Sequence, residues 1–175
     1  VGDLADDLAT VLDGLEVPRA VLVGHSMGSL VATRFALARP ERVAGLALIG
    51  GFATLRGNMA VEPFWRETIA DLADPVDPAM VRAFQESTLA RPVPGGFLDL
   101  VVTESLKLPA RVWTQTLRGL LDEDFSGSLA RIDSPTLLIW GDRDATSDRD
   151  EQRRLQALLS GAELVTIAGG GHAPH

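Results

Sequence analysis

Residues 19–32 read Arg19-Ala-Val-Leu-Val-Gly-His-Ser-Met-Gly-Ser-Leu-Val-Ala32, and the rest of the chain is read outward from them. Ala20 to Val23 has the short apolar run of a fully buried strand, which breaks at Gly24. A helix is expected to begin at about Met27, leaving Gly24-His25-Ser26-Met27-Gly28 as a tight G-x-S-x-G turn. Such a turn strains the serine backbone and lifts its hydroxyl clear of the sheet. Side chains at Gly24 or Gly28 would collide with the neighbouring strand and helix. The Met27 amide and the positive end of the following helix then face whatever Ser26 attacks.

On either side of this turn the chain alternates strand and helix. Val1, Leu4, Leu8, Val11, Leu12 and Leu15 recur at helical spacing, with Asp3, Asp6, Asp7 and Asp13 on the opposite, solvated face. Met27 to Ala38 is a helix whose small residues allow close packing on a sheet, and Arg39-Pro-Glu-Arg42 is a turn. Val43 to Ile49 is a second buried strand, closed by Gly50-Gly51. Thr136 to Trp140 and Glu163 to Ile167 are the third and fourth strands. A helix from Asp148 to Leu159 lies between them, opened by a capping box of Ser147 and Asp150. Strand–helix–strand units with short loops give a parallel sheet. The fold class is therefore α/β, with about four parallel strands and flanking helices.

Residues 53–130 break the pattern. No convincing strand occurs there, and helices are expected at Val61–Leu72, Pro78–Leu89, Phe97–Leu106 and Ala110–Leu121, punctuated by prolines. This is a helical insertion, leaving 1–52 and 131–175 as the core. Phe64, Trp65, Phe84, Phe97 and Trp113 lie in the insertion and mostly pack it internally. Trp65, Phe84 and Trp113, together with His25, are the candidates for lining a substrate pocket.

Composition removes several function classes. The 175 residues carry a net charge of −8 with no basic run, which argues against nucleic-acid binding. There are no cysteines, so disulfides and thiolate metal sites are excluded. No apolar run reaches membrane-spanning length and no signal peptide is visible, so no membrane partner and a cytoplasmic location are expected. Oligomeric state is not legible.

In a parallel sheet every strand ends at the same edge, and ligands bind outside those carboxyl ends. Ser26, the pair Asp142/Asp144, and His172 each follow a strand directly, so all should meet there. The chain has three histidines. His25 precedes the serine and should point away from it, packing under the insertion. His172, freed by Gly169-Gly170-Gly171, can swing towards Ser26, and His175 is its runner-up. Spacing does not separate Asp142 from Asp144, whereas Asp148 and Asp150 suit a helix start.

With these residues in view, the chain resembles the α/β-hydrolase superfamily throughout its length, in its serine-nucleophile, cap-containing esterase or lactonase branch. Val21-Leu-Val-Gly-His-Ser-Met-Gly28, Arg39-Pro-Glu-Arg-Val43, Trp140-Gly-Asp-Arg-Asp144 and Gly171-His-Ala-Pro-His175 carry the resemblance. It implies Ser26 as nucleophile, His172 as base, Asp144 as the acid, the Met27 amide as an oxyanion donor, and the insertion as a cap. It also implies hydrolysis of a small hydrophobic ester-like substrate through an acyl-enzyme, with no metal and no organic cofactor. Acyl transfer, perhydrolysis and C–C bond hydrolysis on the same triad are the alternatives. So are a non-catalytic receptor and an inert fragment. The family's upstream strands and second oxyanion loop are not in this sequence, which resembles the C-terminal two-thirds of such an enzyme. The first strand should then form a raw edge, and the 175-residue chain alone should turn over poorly.

Overall fold

The computed structural model describes residues 1–94 and 96–175. Four strands, β1 (Ala20–His25), β2 (Val43–Ile49), β3 (Thr136–Gly141) and β4 (Glu163–Ile167), pair in parallel in the order β1-β2-β3-β4. The register sets Leu22 beside Leu46, and Leu48 beside Leu138. Because successive side chains point to opposite faces, these leucines share one face, and all four are buried. Helix α2 (Met27–Ala38) covers that face through Leu30, Phe35 and Ala36, and α1 (Gly2–Gly14) packs on α2 through Ala5, Ala9 and Leu12.

The first strand is not fully buried. Val21 and Val23 are 63% and 69% exposed, because they point to the other face of a strand whose one partner among the described residues is β2. β1 is thus an apolar edge, and β4 likewise exposes Val165 and Ile167. β1 and β3 run one or two residues past the breaks that glycine suggests: β1 continues through Gly24 to His25, and β3 to Gly141.

Between β2 and β3 the chain is helical. α3 (Val61–Phe64) widens into a π-turn at Trp65–Ile69, where the Ala70 amide donates to the Trp65 carbonyl, so Val61–Leu72 is not one regular helix. α4 (Pro78–Ser87), α5 (Phe97–Ser105) and α6 (Ala110–Asp122) follow. Val76, Val81, Val102 and Ala110 form a small apolar cluster of their own, separate from the sheet's core. One isolated bridge, Thr54 to Asp124, ties the two ends of this segment together. The last helix, α7 (Arg149–Leu158), is capped by Asp148, whose carboxylate accepts from the Glu151 amide. Ser147 does not form the expected box with Asp150. It is fully buried, its hydroxyl donating to the Gly51 carbonyl while Gln152 donates to it. Among the described residues no helix is long and apolar enough to cross a membrane.

Candidate active site

The turn after β1 has the strained geometry that its sequence suggests. Ser26 lies at φ 51°, ψ −116°, a conformation that L-residues rarely adopt and that costs on the order of 1–3 kcal/mol. Three bonds hold it there. The Ser26 amide donates to the Ile49 carbonyl (3.0 Å). The Ser26 carbonyl accepts from the Ser29 amide (2.9 Å) and from the Ser29 hydroxyl (2.6 Å). Gly24 is obligatory, since a Cβ there would stand 2.2 Å from the Gly28 carbonyl oxygen. Gly28 is not, because a Cβ would meet nothing within 4 Å. The expectation of a clash at both glycines is thus corrected at Gly28. Met27 opens α2, so its amide has no acceptor within the helix.

Ser26, His172 and Asp144 meet at the carboxyl edge of the sheet. Nδ1 of His172 lies 2.8 Å from Asp144 Oδ2, and Nε2 lies 2.7 Å from Ser26 Oγ. The carboxylate can only accept, so Nδ1 carries the proton of the neutral ring. Nε2 is then the acceptor, and the serine hydroxyl donates to it. Both His172 and Asp144 are 6% exposed. The second carboxylate oxygen, Oδ1, accepts from the Thr146 and Ser147 amides at 2.8 and 2.9 Å, which fixes the carboxylate plane. Asp142, not separable from Asp144 by spacing, points elsewhere: its Oδ1 accepts from the Gly169 amide at 2.6 Å. A hydroxyl hydrogen-bonded to an imidazole that is oriented by a buried carboxylate can lose its proton as it attacks an electrophile.

Two features of this arrangement carried no signal strong enough to be read beforehand. Gly50, seen in sequence only as a strand end, has φ +53° and lies directly beneath the His–Asp pair. A Cβ there would fall 3.0 Å from His172 Nδ1 and 3.2 Å from Asp144 Oδ2. The loop bearing His172 is also gripped by the helical segment. The Ala173 amide donates to the Thr88 carbonyl (3.1 Å), and the Arg91 guanidinium donates to the Ala168 carbonyl (2.7 Å).

The pocket candidates separate. His25 meets the backbone of His172, its Nε2 lying 2.8 Å from the His172 carbonyl oxygen. Burial pushes its pKa below the ordinary histidine value, opposed by that hydrogen bond. His175 stacks edge-on against His25 with centroids 4.6 Å apart. Phe84 stacks on Phe64 at 5.3 Å and meets Trp113 edge-on at 5.6 Å. Trp65 lines a groove with Arg56, Glu62, Arg66, Arg118, Leu121 and Asp122, none of them in the Ser26–His172–Asp144 relay. Among the described residues no group of three or more His, Cys, Asp or Glu side chains could hold a metal ion.

The sequence profile of the family described as alpha/beta hydrolase fold matches residues 1–175. The chain belongs to the α/β-hydrolase family. A 2-hydroxy-6-oxononadienedioate/2-hydroxy-6-oxononatrienedioate hydrolase from Paraburkholderia xenovorans is 32% identical over 96% of this chain and 61% of its own length. A hydrolase from Pseudomonas aeruginosa superposes with a TM-score of 0.81 at 27% identity, covering 93% of this chain and 62% of that one. An esterase from Exiguobacterium antarcticum has a TM-score of 0.84 at 23% identity, covering 97% and 65%. The chain spans about three fifths of the length of the curated relative it matches.

Proposed function

We propose that the protein is a serine hydrolase that cleaves a carboxylic ester or related acyl bond through an acyl-enzyme. The observation that carries this reading is the unbroken relay from Ser26 Oγ through His172 to Asp144, at 2.7 and 2.8 Å, on a backbone strained to present the hydroxyl. As Ser26 Oγ bonds to the substrate carbonyl carbon, its proton passes to His172 Nε2. Asp144 holds the Nδ1–H tautomer and stabilises the imidazolium. The Met27 amide donates to the developing oxyanion. The tetrahedral intermediate collapses by breaking the carbon–oxygen bond, and the His172 proton leaves on the alcohol. Water, deprotonated by the same ring, then attacks the acyl-enzyme, and the acid departs as Ser26 recovers its proton. Residues 53–130 form a cap over this edge, supported by their separate apolar cluster and their grip on the His172 loop. An apolar acyl or alkyl group is the substrate class that suits the cap.

One observation favours a second reading, hydrolysis of a carbon–carbon bond on the same relay. The 32%-identical relative is named for a 6-oxo dioate, which contains a ketone but no ester, so a hydrolase acting on it must break a carbon–carbon bond. Side-by-side assays with p-nitrophenyl butyrate and a 2-hydroxy-6-oxo-dienoate distinguish the two. Ser26-dependent release of p-nitrophenolate at the higher kcat/KM supports the ester reading. Preference for the dienoate supports the second reading, and turnover of both undiminished in Ser26→Ala refutes the serine mechanism.

A further inference from the structure

The hydrogen bonds of the His172 imidazole orient its ring but do not fix its backbone, which lies in an irregular loop after β4. Besides the Ala173–Thr88 bond one residue further on, His25 supplies an anchor on the backbone of His172 itself. It is the last residue of β1 and the immediate neighbour of Ser26, and its Nε2 lies 2.8 Å from the His172 carbonyl oxygen. A carbonyl only accepts, so His25 must hold its proton on Nε2 and donate it. Two adjacent residues on one strand end therefore hold the two ends of a single residue, Ser26 the imidazole and His25 the carbonyl. Closing this loop of contacts sets the separation of Oγ and Nε2 through covalent geometry and two short hydrogen bonds. The His25 ring is itself wedged between His172, at 5.1 Å between centroids, and His175, at 4.6 Å.

We propose that His25 is a positioning residue, whose Nε2–H holds the His172 backbone so that the imidazole stands over the Ser26 hydroxyl. It touches no reacting atom and acts through His172. The inference rests on the reading that Ser26 and His172 react together, and it extends that reading to a side chain otherwise taken as packing.

The test is the rate at which a fluorophosphonate labels Ser26, with thermal unfolding measured in parallel to hold folding constant. Glutamine places an amide N–H at about the reach of the histidine Nε2, while leucine fills the space and donates nothing. His25→Leu is expected to slow labelling about 10–100-fold, in keeping with the cost of displacing a reacting group by up to an ångström, and His25→Gln to stay within about threefold of the parent. In a His172→Ala background, His25→Leu should slow labelling no further. Equal rates for the Leu and Gln variants overturn the proposal, as does a full additional loss in the His172→Ala background. A second measurement on the unsubstituted chain does not depend on any variant folding. Long-range 1H–15N spectra should show His25 protonated at Nε2, and protonation at Nδ1 alone overturns the proposal. Label lost in Ser26→Ala but unchanged in His25→Leu sinks only the His25 inference. Label retained in Ser26→Ala sinks the serine reading itself.

Discussion

Gly50→Ala offers a sharp perturbation of the relay, because it adds one methyl group at a known place. Two costs can be separated. The backbone sits at φ +53°, where an L-residue pays about 1–2 kcal/mol. In addition, the new Cβ would lie 3.0 Å from His172 Nδ1, 3.1 Å from the His172 carbonyl oxygen and 3.2 Å from Asp144 Oδ2. Favourable contact begins at about 3.5 Å, so the ring and carboxylate must each move by a few tenths of an ångström. Their 2.8 Å hydrogen bond lengthens and the imidazole tilts off Ser26. A fall of about 10–100-fold in the labelling rate follows. The backbone cost lowers the unfolding midpoint by roughly 2–8 °C for a chain of this size. Gly57→Ala is the matched control: φ is +74°, yet a Cβ there meets nothing within 4 Å. It should show a similar fall in midpoint with an unchanged labelling rate. If the two variants label Ser26 equally fast, the contact argument is wrong.

Five other substitutions test the relay and the packing around it. Asp144→Asn should reduce labelling by about 10³–10⁴-fold through loss of the oriented tautomer, and Asp142→Asn by less than about threefold; comparable losses would contradict the assignment of the acid. Gly24→Ala forces a methyl into the Gly28 backbone at 2.2 Å, which no rotamer change relieves, and should cost about 3 kcal/mol or more. Gly28→Ala should be neutral or slightly stabilising, and a reversed order in thermal melts would refute the packing argument. Burial raises the pKa of Glu151 above its ordinary 4.5, against the opposing bonds from the Ala53 amide and Arg154. The folded state therefore binds that proton more tightly than the unfolded chain. Its contribution to stability is full below 4.5 and is lost as pH rises through the raised value. Glu151→Gln should raise the unfolding midpoint near pH 7 and lose that advantage near pH 4; a difference independent of pH would contradict this.

The parallel sheet was legible because its strands are short apolar runs punctuated by Gly and Pro, and β2, α2 and β4 fall where periodicity puts them. The gathering of Ser26, His172 and one carboxylate of the Asp142/Asp144 pair was legible because topology alone brings strand ends to one edge, whereas the choice of Asp144 came only with the family resemblance. What pattern could not express was the third dimension within that edge. Nothing in an apolar run says whether both faces of a strand are covered, so Val21 and Val23 read as buried while they stand in solvent. Gly50 reads as a strand terminator, since its close approach to His172 joins residues more than a hundred positions apart. Ser147 followed by Asp150 satisfies a capping pattern, but burial against Gly51 and Gln152 claims the serine, leaving Asp148 as the cap. His25 was placed by its neighbour in sequence rather than by its contact across the sheet edge.

The central claim is that Ser26 owes its reactivity to His172. Intact-mass and peptide mapping of the fluorophosphonate-treated chain test it most directly. The account predicts one adduct, on the peptide containing Ser26, absent in Ser26→Ala and formed at least about 10³-fold more slowly in His172→Ala. An adduct on another residue, or equal labelling of Ser26 with and without the imidazole, would contradict it.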